Sequence, residues 1–378
     1  MKPFDFLTPT RICFGPGTFS RAAVLSDRLG RRGLLLADPW LAQNTSRVAE
    51  LQEAVEKLGG GLSIFSRVSP NPKSSEIDAA ADQFRAGQCT HVIGLGGGSV
   101  LDAAKAVAAC ARLERKCAEL LDRPIAAGQA FATLLIPTTA GTGSELSKGA
   151  IVSFPDRQIK TGLRGDGLFA TCALVDPELC LTLPLRVTAL TGFDVFTHAV
   201  ETYLSRKSSP LTDLFAVESM TIVAQCLPRL LGEPGNLELR SRLSFASMLM
   251  GINLANSSTC LPHRLQYPIG ARTDTAHAAG LAALYPAWFK GMTYAAAGKA
   301  AAIMRILQPA AAGDLGAEPM VAILRGFMDA LQVGTSLSAL GVKAGDIPAF
   351  LDQLSGDLSA DPGDTSREHL SRIYHASL

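Results

Sequence analysis

Three histidines and one aspartate in the second half of the chain have the types and spacing of a metal site. Asp194 and His198 stand four residues apart in a stretch of helical character, so their side chains share one face. His263 and His277 flank a segment containing Pro268 and Gly270, which we expect to fold back and bring the two rings together. One carboxylate and three imidazoles suit Fe(II) or Zn(II). Each histidine alone is more often a hydrogen-bonded core residue, but together they predict one divalent metal.

A glycine run after an apolar segment has the character of a phosphate-binding turn. Residues 91–102 read HVIGLGGGSVLD, an expected strand followed by glycines and a helix. Glycines let the backbone approach an anion closely, and the helix start offers free N–H groups. A tight turn without a ligand is the alternative. Ser99 is expected to cap the helix or to donate to a phosphate. The cofactor-binding candidates of this turn are Gly97, Gly98, Ser99 and Asp102.

A second polar loop and an isolated acid extend the predicted nucleotide site. Residues 137–145 read PTTAGTGSE, in which Thr138, Thr139 and Thr142 offer short donors; the alternative is a solvated loop. Asp38 ends an earlier apolar run. An acid at such a position binds a ribose diol and repels a 2′-phosphate, which favours NAD over NADP. Its alternative role is that of a turn residue before a proline.

The elements that must position these residues divide into two regions. Short apolar runs alternate with amphipathic helical stretches up to about residue 184, which predicts an α/β domain with a mostly parallel sheet. After that point the periodicity is helical throughout. We therefore expect a nucleotide-binding domain at 1–184, an all-α domain at 185–378, and a ligand in the cleft between them. The expected strands are 33–37, 62–68, 91–95, 132–136, 150–154 and 173–175, and the expected helices include 46–58, 74–86, 99–113, 211–227 and 237–256.

Composition excludes several classes of function. The formal net charge is +1 and 18% of the residues are charged, which gives no basis for binding nucleic acid or an anionic membrane surface. The first residues lack a continuous apolar stretch, and no apolar stretch is expected to reach membrane-spanning length before a proline or a charge. The eight cysteines show no paired spacing, so they are expected to be buried reduced thiols. A cytoplasmic location is expected.

An ordered series of motifs resembles the iron-containing (group III) alcohol dehydrogenase family along nearly the whole chain. The series runs PTRICFGPGT near the start, SPNP at 69–72, GGGSVLDAAKA at 96–106, IPTTAGTGSE at 136–145, VDPEL at 175–179, GFDVFTHAVETYLS at 192–205 and PHRLQYPIG at 262–270, with a final His277.

The resemblance implies a dehydroquinate synthase-like architecture and assigns residues by position. Asp194, His198, His263 and His277 match the family's metal ligands. The two polar loops match its nucleotide site, and Lys160 matches a lysine near the nicotinamide ribose. The implied reaction exchanges a hydride between an alcohol or carbonyl compound and nicotinamide while the metal polarises the substrate oxygen. Small-molecule substrates and a homo-oligomer are implied as well.

Three departures from the family pattern lie near the predicted metal. Tyr267 stands where many members carry a further histidine, and we expect it to relay the proton or to pack against the nicotinamide or substrate. The last ligand lies between two alanines rather than between proline and glycine. Arg264 and Arg272 add positive charge, which predicts an anionic substrate; exposure or internal pairing is their alternative.

Two other activities fit the same architecture. One is a carbon–oxygen lyase or cyclase resembling dehydroquinate synthase, although the lysine-rich phosphate pocket of that enzyme has no counterpart near His263. The other is a hydroxyacid–oxoacid transhydrogenase, a branch that also has a tyrosine followed by Pro-Ile.

Overall fold

The chain folds into two units of different architecture. The computed structural model describes residues 3–311 and 315–378. One unit is Leu7–Thr182, and the other is Leu183–Leu378 together with the residues before Leu7.

The first unit is built on a six-stranded parallel sheet. The strand order is β1-β8-β5-β4-β2-β3, and every neighbouring pair in this sheet is parallel. This confirms the predicted parallel α/β architecture. The strands of the sheet are β1 (Arg11–Phe14), β2 (Arg32–Ala37), β3 (Gly61–Phe65), β4 (His91–Gly96), β5 (Ala132–Pro137) and β8 (Cys172–Val175).

Side chains of the central strands alternate between two hydrophobic cores. In β2, Leu34 and Leu36 enter one core, whereas Leu35 and Ala37 enter the other. This is the two-residue period of a strand, and both faces are covered because parallel sheets carry their crossover helices on both sides. The covering helices are α1 (Ala22–Asp27), α2 (Pro39–Asn44), α3 (Arg47–Lys57), α4 (Ser74–Ala86) and α5 (Gly98–Leu113).

A two-stranded antiparallel hairpin stands apart from the main sheet. It consists of β6 (Gly149–Phe154) and β7 (Ile159–Arg164). The sequence predicts the strand at 150–154 but not its partner, and not that the pair forms a separate sheet. A further missed strand is β1, which has only four residues and carries arginine at its first position.

The motif near residue 15 and the motif at 175–179 bind each other. Asp176 is buried and accepts hydrogen bonds from the backbone N–H groups of Gly17 (3.2 Å) and Phe19 (2.8 Å). It also accepts from the N–H of Glu178 at 3.0 Å. Both motifs therefore anchor the start of the chain beside the end of β8.

His91 and the cysteines are structural. His91 is fully buried, and its Nε2 lies 2.8 Å from the hydroxyl oxygen of Ser26. Burial lowers the pKa of His91 to about 4, so the ring is neutral at pH 7. All eight cysteines are buried and free, as predicted.

The described residues of the second unit form helices and no strand. The helices are α6 (Leu185–Leu204), α7 (Pro210–Gly232), α8 (Leu237–Asn256), α9 (Leu261–Thr273), α10 (His277–Ala295), α11 (Ala297–Leu307), α12 (Ala317–Ala330), α13 (Ile347–Asp352) and α14 (Arg367–Ala376). Helix α6 packs against α7 and α8, while α10 packs against α9 and α12.

Helix α7 meets a length and hydropathy criterion for crossing a membrane, although charges interrupt its apolar stretch at Asp213 and Glu218. Within the part of the chain that the structure describes, it is long and apolar enough to cross a membrane by length and composition, with a mean hydropathy of 1.4. Of the window that meets this criterion, 44% is buried, and a core helix meets the same criterion. The helix packs against α6, α8 and α11, and its Leu214 and Val217 are exposed.

Candidate active site

The four predicted metal ligands lie together. One oxygen of Asp194, Oδ1, lies 4.0 Å from Nε2 of His198, 3.7 Å from Nε2 of His263 and 3.9 Å from Nε2 of His277. Asp194, His198 and His263 are buried, and His277 is half-buried. Three imidazole nitrogens thus converge on one carboxylate oxygen.

Three helices bring this quartet together. Asp194 and His198 are one turn apart on α6, His263 lies in the first turn of α9, and His277 is the first residue of α10. The segment between His263 and His277 folds back and brings the two rings together, as predicted, but α9 continues through Pro268 and Gly270. The reversal comes at 274–276, beginning at Asp274, which has a positive φ of 51°.

Two side chains that the sequence analysis missed hold the histidine rings. Nδ1 of His263 lies 2.8 Å from Oε1 of Glu201, and Nδ1 of His277 lies 2.6 Å from Oε1 of Gln266. An acceptor at Nδ1 fixes the proton there and leaves the lone pair of Nε2 free for a metal. Glu201 was detectable, because it follows Asp194 by seven residues and so lies on the same face of α6.

The charges of the site fit a cation at its centre. Burial opposes ionisation of Asp194, but the surrounding histidines hold its pKa well below its usual range. Burial would also lower the pKa of His263, but Glu201 and Asp194 raise it to about 10. The buried Nε2 of His263 has no hydrogen-bond partner among the described residues. A divalent ion would displace the proton of His263 and take over the charge balance with the two buried carboxylates, so the donor set fits Fe(II) or Zn(II).

Tyr267 and Arg264 border the quartet, whereas Arg272 does not. Tyr267 is one turn beyond His263, and its ring lies 6.5 Å from the ring of His277. Nη1 of Arg264 donates to the hydroxyl of Tyr267 over 3.4 Å. Arg272 has an exposed side chain that pairs with Asp346 at 2.7 Å. Its charge is therefore matched by a protein carboxylate, and the site includes Arg264 alone.

The glycine turn packs closely against the threonine loop. Helix α5 begins at Gly98 with Gly97 as its N-cap, so the prediction that Ser99 caps the helix is wrong. A Cβ placed on Gly98 would lie 2.7 Å from the hydroxyl oxygen of Thr142, and one on Gly97 would lie 3.5 Å from the methyl of Thr139. Side chains at these two positions would fill the space before the helix. Because both residues are glycines, the first N–H groups of α5 stay accessible.

Asp102 joins the two polar loops from inside the protein. Its oxygens accept from the hydroxyl of Ser144 (2.5 Å) and from the N–H of Ile151 (2.9 Å), and Lys105 lies 3.1 Å away. The fully buried ammonium of Lys105 donates to the carbonyl of Ser144 over 2.8 Å. Thr138 completes the arrangement by donating its N–H to Gly96 over 3.0 Å. The carboxylate of Asp102 thereby holds the threonine loop against α5.

Asp38 and Lys160 occupy different parts of the same unit. Asp38 follows β2 and caps α2 by accepting hydrogen bonds from the N–H groups of Trp40 and Leu41. The alternative prediction, a turn residue before a proline, is therefore confirmed. A Cβ on Gly96 would lie 3.1 Å from the Cβ of Asp38, which places the acid beside the glycine turn. Lys160 is buried on β7 and donates to the side-chain oxygen of Asn71 over 2.6 Å. The SPNP motif therefore packs next to the lysine.

Comparison with known proteins gives the family. A family model described as iron-containing alcohol dehydrogenase matches residues 9–177, and one described as Fe-containing alcohol dehydrogenase family, C-terminal, matches residues 188–378. The chain belongs to the iron-containing alcohol dehydrogenase family. It is an oxidoreductase of the alcohol dehydrogenase class, and the lyase and transhydrogenase alternatives are not favoured.

The similarity to individual relatives extends along most or all of the chain. The 1-propanol dehydrogenase PduQ of Citrobacter freundii is 32% identical over 277 residues, which are 73% of this chain and 70% of that protein. The 1,3-propanediol dehydrogenase of Klebsiella pneumoniae is 27% identical and covers 100% of this chain and 99% of its own length. The structure of sulfoacetaldehyde reductase from Bifidobacterium kashiwanohense in complex with NAD+ matches with a TM-score of 0.87 and 25% identity, over 99% of this chain and 98% of that one.

Proposed function

We propose that this enzyme interconverts a small alcohol and its aldehyde or ketone with NAD as cofactor and one divalent ion at the histidine–aspartate quartet. The observation that supports this most is the convergence of three Nε2 atoms on one oxygen of Asp194. A protein that only needed these side chains for packing would gain nothing from placing four titratable groups in one buried spot.

The quartet would bind Fe(II) or Zn(II), and helices α6, α9 and α10 position its four side chains. A metal ion there supplies a Lewis acid for the oxygen of the substrate. Asp194 supplies the negative charge, while Glu201 and Gln266 keep His263 and His277 in the tautomer that presents Nε2. The donor set accepts either metal, and the family name supports iron.

The nucleotide would bind at the two polar loops of the α/β unit. A bound nicotinamide supplies the hydride donor or acceptor. The pyrophosphate would bind at the start of α5, against Gly97, Gly98 and Ser99. Thr138, Thr139 and Thr142 offer donors nearby, and Lys160 is assigned to the nicotinamide ribose by resemblance alone. Asp38 favours NAD over NADP through its charge at the end of β2.

Tyr267 is the proposed proton-transfer group. Its hydroxyl accepts a hydrogen bond from Arg264, and its ring neighbours that of the ligand His277. A hydroxyl oriented in this way could pass a proton to or from the substrate oxygen. A homo-oligomer in the cytoplasm is part of the proposal as well, supported by the family resemblance alone.

An NADH-oxidation screen tests the proposal. The purified enzyme, reconstituted under anaerobic conditions with Fe(II) or Zn(II), is assayed against straight-chain aldehydes, ketones and keto acids. We expect turnover with at least one class, and loss of turnover and of bound metal in His263→Ala. The proposal fails if the metal-loaded enzyme reduces no carbonyl compound.

A further inference from the structure

Arg264 is a buried arginine with no acidic partner among the described residues. It lies beside the ligand His263 on α9, and its side chain is only 4% exposed. Among the described residues, no carboxylate lies within 4.0 Å of its guanidinium. Its Nε has no hydrogen-bond partner there. Nη1 reaches the hydroxyl of Tyr267 over 3.4 Å, and Nη2 reaches the hydroxyl of Ser258 over 3.3 Å.

These contacts are too weak to compensate a buried charge. Hydrogen bonds near 2.9 Å are normal for an arginine, and bonds to an ionised acceptor are shorter still. Another buried arginine, Arg240, donates to a carbonyl over 3.1 Å and to a hydroxyl over 2.9 Å. Within the described residues, Arg264 makes neither a hydrogen bond to a carbonyl nor a short one, so most of its capacity to bind an anion is unused.

Neighbouring acids are already committed to other partners. Asp361 accepts from the N–H of Leu261 and from the indole of Trp288, while Asp357 pairs with Lys207. The positive end of the α9 dipole makes the burial of a cation in its first turns more unfavourable. No carboxylate of the described residues therefore supplies the countercharge of Arg264, which leaves the guanidinium available to an external anion.

The guanidinium is held in place rather than free to leave. Gly356 has a φ of +89°, and a Cβ there would come within 3.2 Å of Cδ and Nε of Arg264. The backbone of this glycine therefore lies close to the side chain and limits its movement on that side. A rigid, planar, buried donor is suited to a carboxylate or another oxoanion.

We infer that Arg264 binds the anionic group of the substrate, which is then a short aldehyde or hydroxy compound bearing a carboxylate, sulfonate or phosphonate. This rests on the proposed function, because it places the anion beside the metal ligands His263 and His277. Tyr267 contacts the arginine and its ring neighbours that of His277, so we infer a short substrate that spans the arginine and the quartet.

A matched pair of substrates tests the inference. Succinate semialdehyde and butanal have the same carbon chain and differ in a carboxylate against a methyl group. We expect the wild-type ratio of kcat/KM for the two to fall by about 10- to 100-fold in Arg264→Gln, mainly through KM for the acid, because a charge-assisted bond is lost. Arg272→Gln is the control on the same helix, and it should leave the ratio unchanged. An unchanged ratio in Arg264→Gln overturns the inference.

A binding measurement separates this result from the proposed function. Calorimetric titration with 4-hydroxybutyrate and 1-butanol needs no turnover. We expect the hydroxy acid to bind more tightly than the alcohol to wild type, and this preference to disappear in Arg264→Gln and to recover in part in Arg264→Lys. If no aldehyde is reduced but this pattern holds, the dehydrogenase proposal fails and the anion site stands. If neutral aldehydes are reduced and both ligands bind alike, only the anion site fails.

Thermal unfolding without ligand distinguishes a binding arginine from a structural one. Removing an uncompensated buried charge should leave the Tm of Arg264→Gln unchanged or raised. A clear fall in Tm, together with equal losses for both aldehydes, would show that the arginine only supports the fold.

Discussion

The carboxylate of Glu201 should set the affinity of the quartet for its metal. Glu201 is fully buried; Oε1 lies 2.8 Å from Nδ1 of His263, and Oε2 accepts from the N–H of Cys260 over 2.8 Å. In Glu201→Gln the amide keeps the shape but has one oxygen for two donors. Either His263 loses its acceptor or Cys260 does, and the negative charge behind the ligand is gone.

The size of the effect follows from these contacts. Loss of a carboxylate behind a ligating histidine costs about 10- to 100-fold in metal affinity. That corresponds to about 1.4 to 2.7 kcal/mol of binding free energy. An N–H left without an acceptor also costs about 1 to 3 kcal/mol of folding stability, so the Tm of the metal-free variant should fall.

Chelator competition measures this affinity directly. The metal-free protein is titrated with Zn(II) in the presence of a chromophoric chelator, for wild type, Glu201→Gln and the control Glu218→Gln. Glu218 is an exposed glutamate on α7, so its variant should bind as wild type does. If the Glu201 variant folds and binds zinc with wild-type affinity, the hydrogen bond to His263 does not orient a ligand and our assignment of the site is refuted.

Three further predictions concern the nucleotide, the proton and the pH dependence of stability. Asp38→Asn keeps an oxygen to cap α2 but removes the charge, so the ratio of kcat/KM for NADP over NAD should rise by about tenfold, as measured by initial rates with each cofactor; an unchanged ratio means that Asp38 is only a cap. Tyr267→Phe should lower kcat by about 100-fold or more with little change in KM, and an intact kcat would leave the tyrosine a packing role. Because the pKa of His91 is lowered from 6.5 to about 4, the unfolded chain binds a proton below pH 6.5 that the folded chain does not. As the pH is lowered from 6.5 to 4, the free energy of unfolding should therefore fall by about 1.4 kcal/mol per pH unit. Urea unfolding measured at pH 7 and at pH 5 should show a smaller fall in His91→Gln than in wild type.

The architecture could be predicted from the sequence because the patterns that indicate strands and helices are local. The apolar runs of β2, β4 and β5 are buried on both sides, which is the pattern of a parallel sheet, and the structure confirms it. The quartet was also predictable in composition, since Asp194 and His198 share a helix face. Histidines are few enough in this chain that three in one region stood out.

The remaining features depend on contacts that no local pattern encodes. Pro268 normally marks a helix end, yet α9 continues through it, and the reversal occurs instead at Asp274. Asp102 looked like a ligand of the cofactor, but its partners Ser144 and Ile151 are more than 40 residues away. Long-range hydrogen bonds of this kind appear only once the chain is folded.

The arginines show the same limit most clearly. Arg264 and Arg272 are both on α9 and carry equal charge, so the sequence alone does not distinguish their roles. One is buried without an acidic partner among the described residues, and the other is exposed and paired with Asp346. Burial and the position of one distant carboxylate decide which of them is available to a ligand.

Metal occupancy and turnover measured together test the metal-dependent dehydrogenase most directly. The metal-free enzyme is titrated with Fe(II) under anaerobic conditions, and reduction of an aldehyde by NADH is followed at each addition. We predict that the rate rises in proportion to bound metal, reaches its limit at about one equivalent per chain, and stays at background in Asp194→Ala. A metal-free enzyme that reduces the aldehyde at the full rate would contradict the central role given to Asp194, His198, His263 and His277.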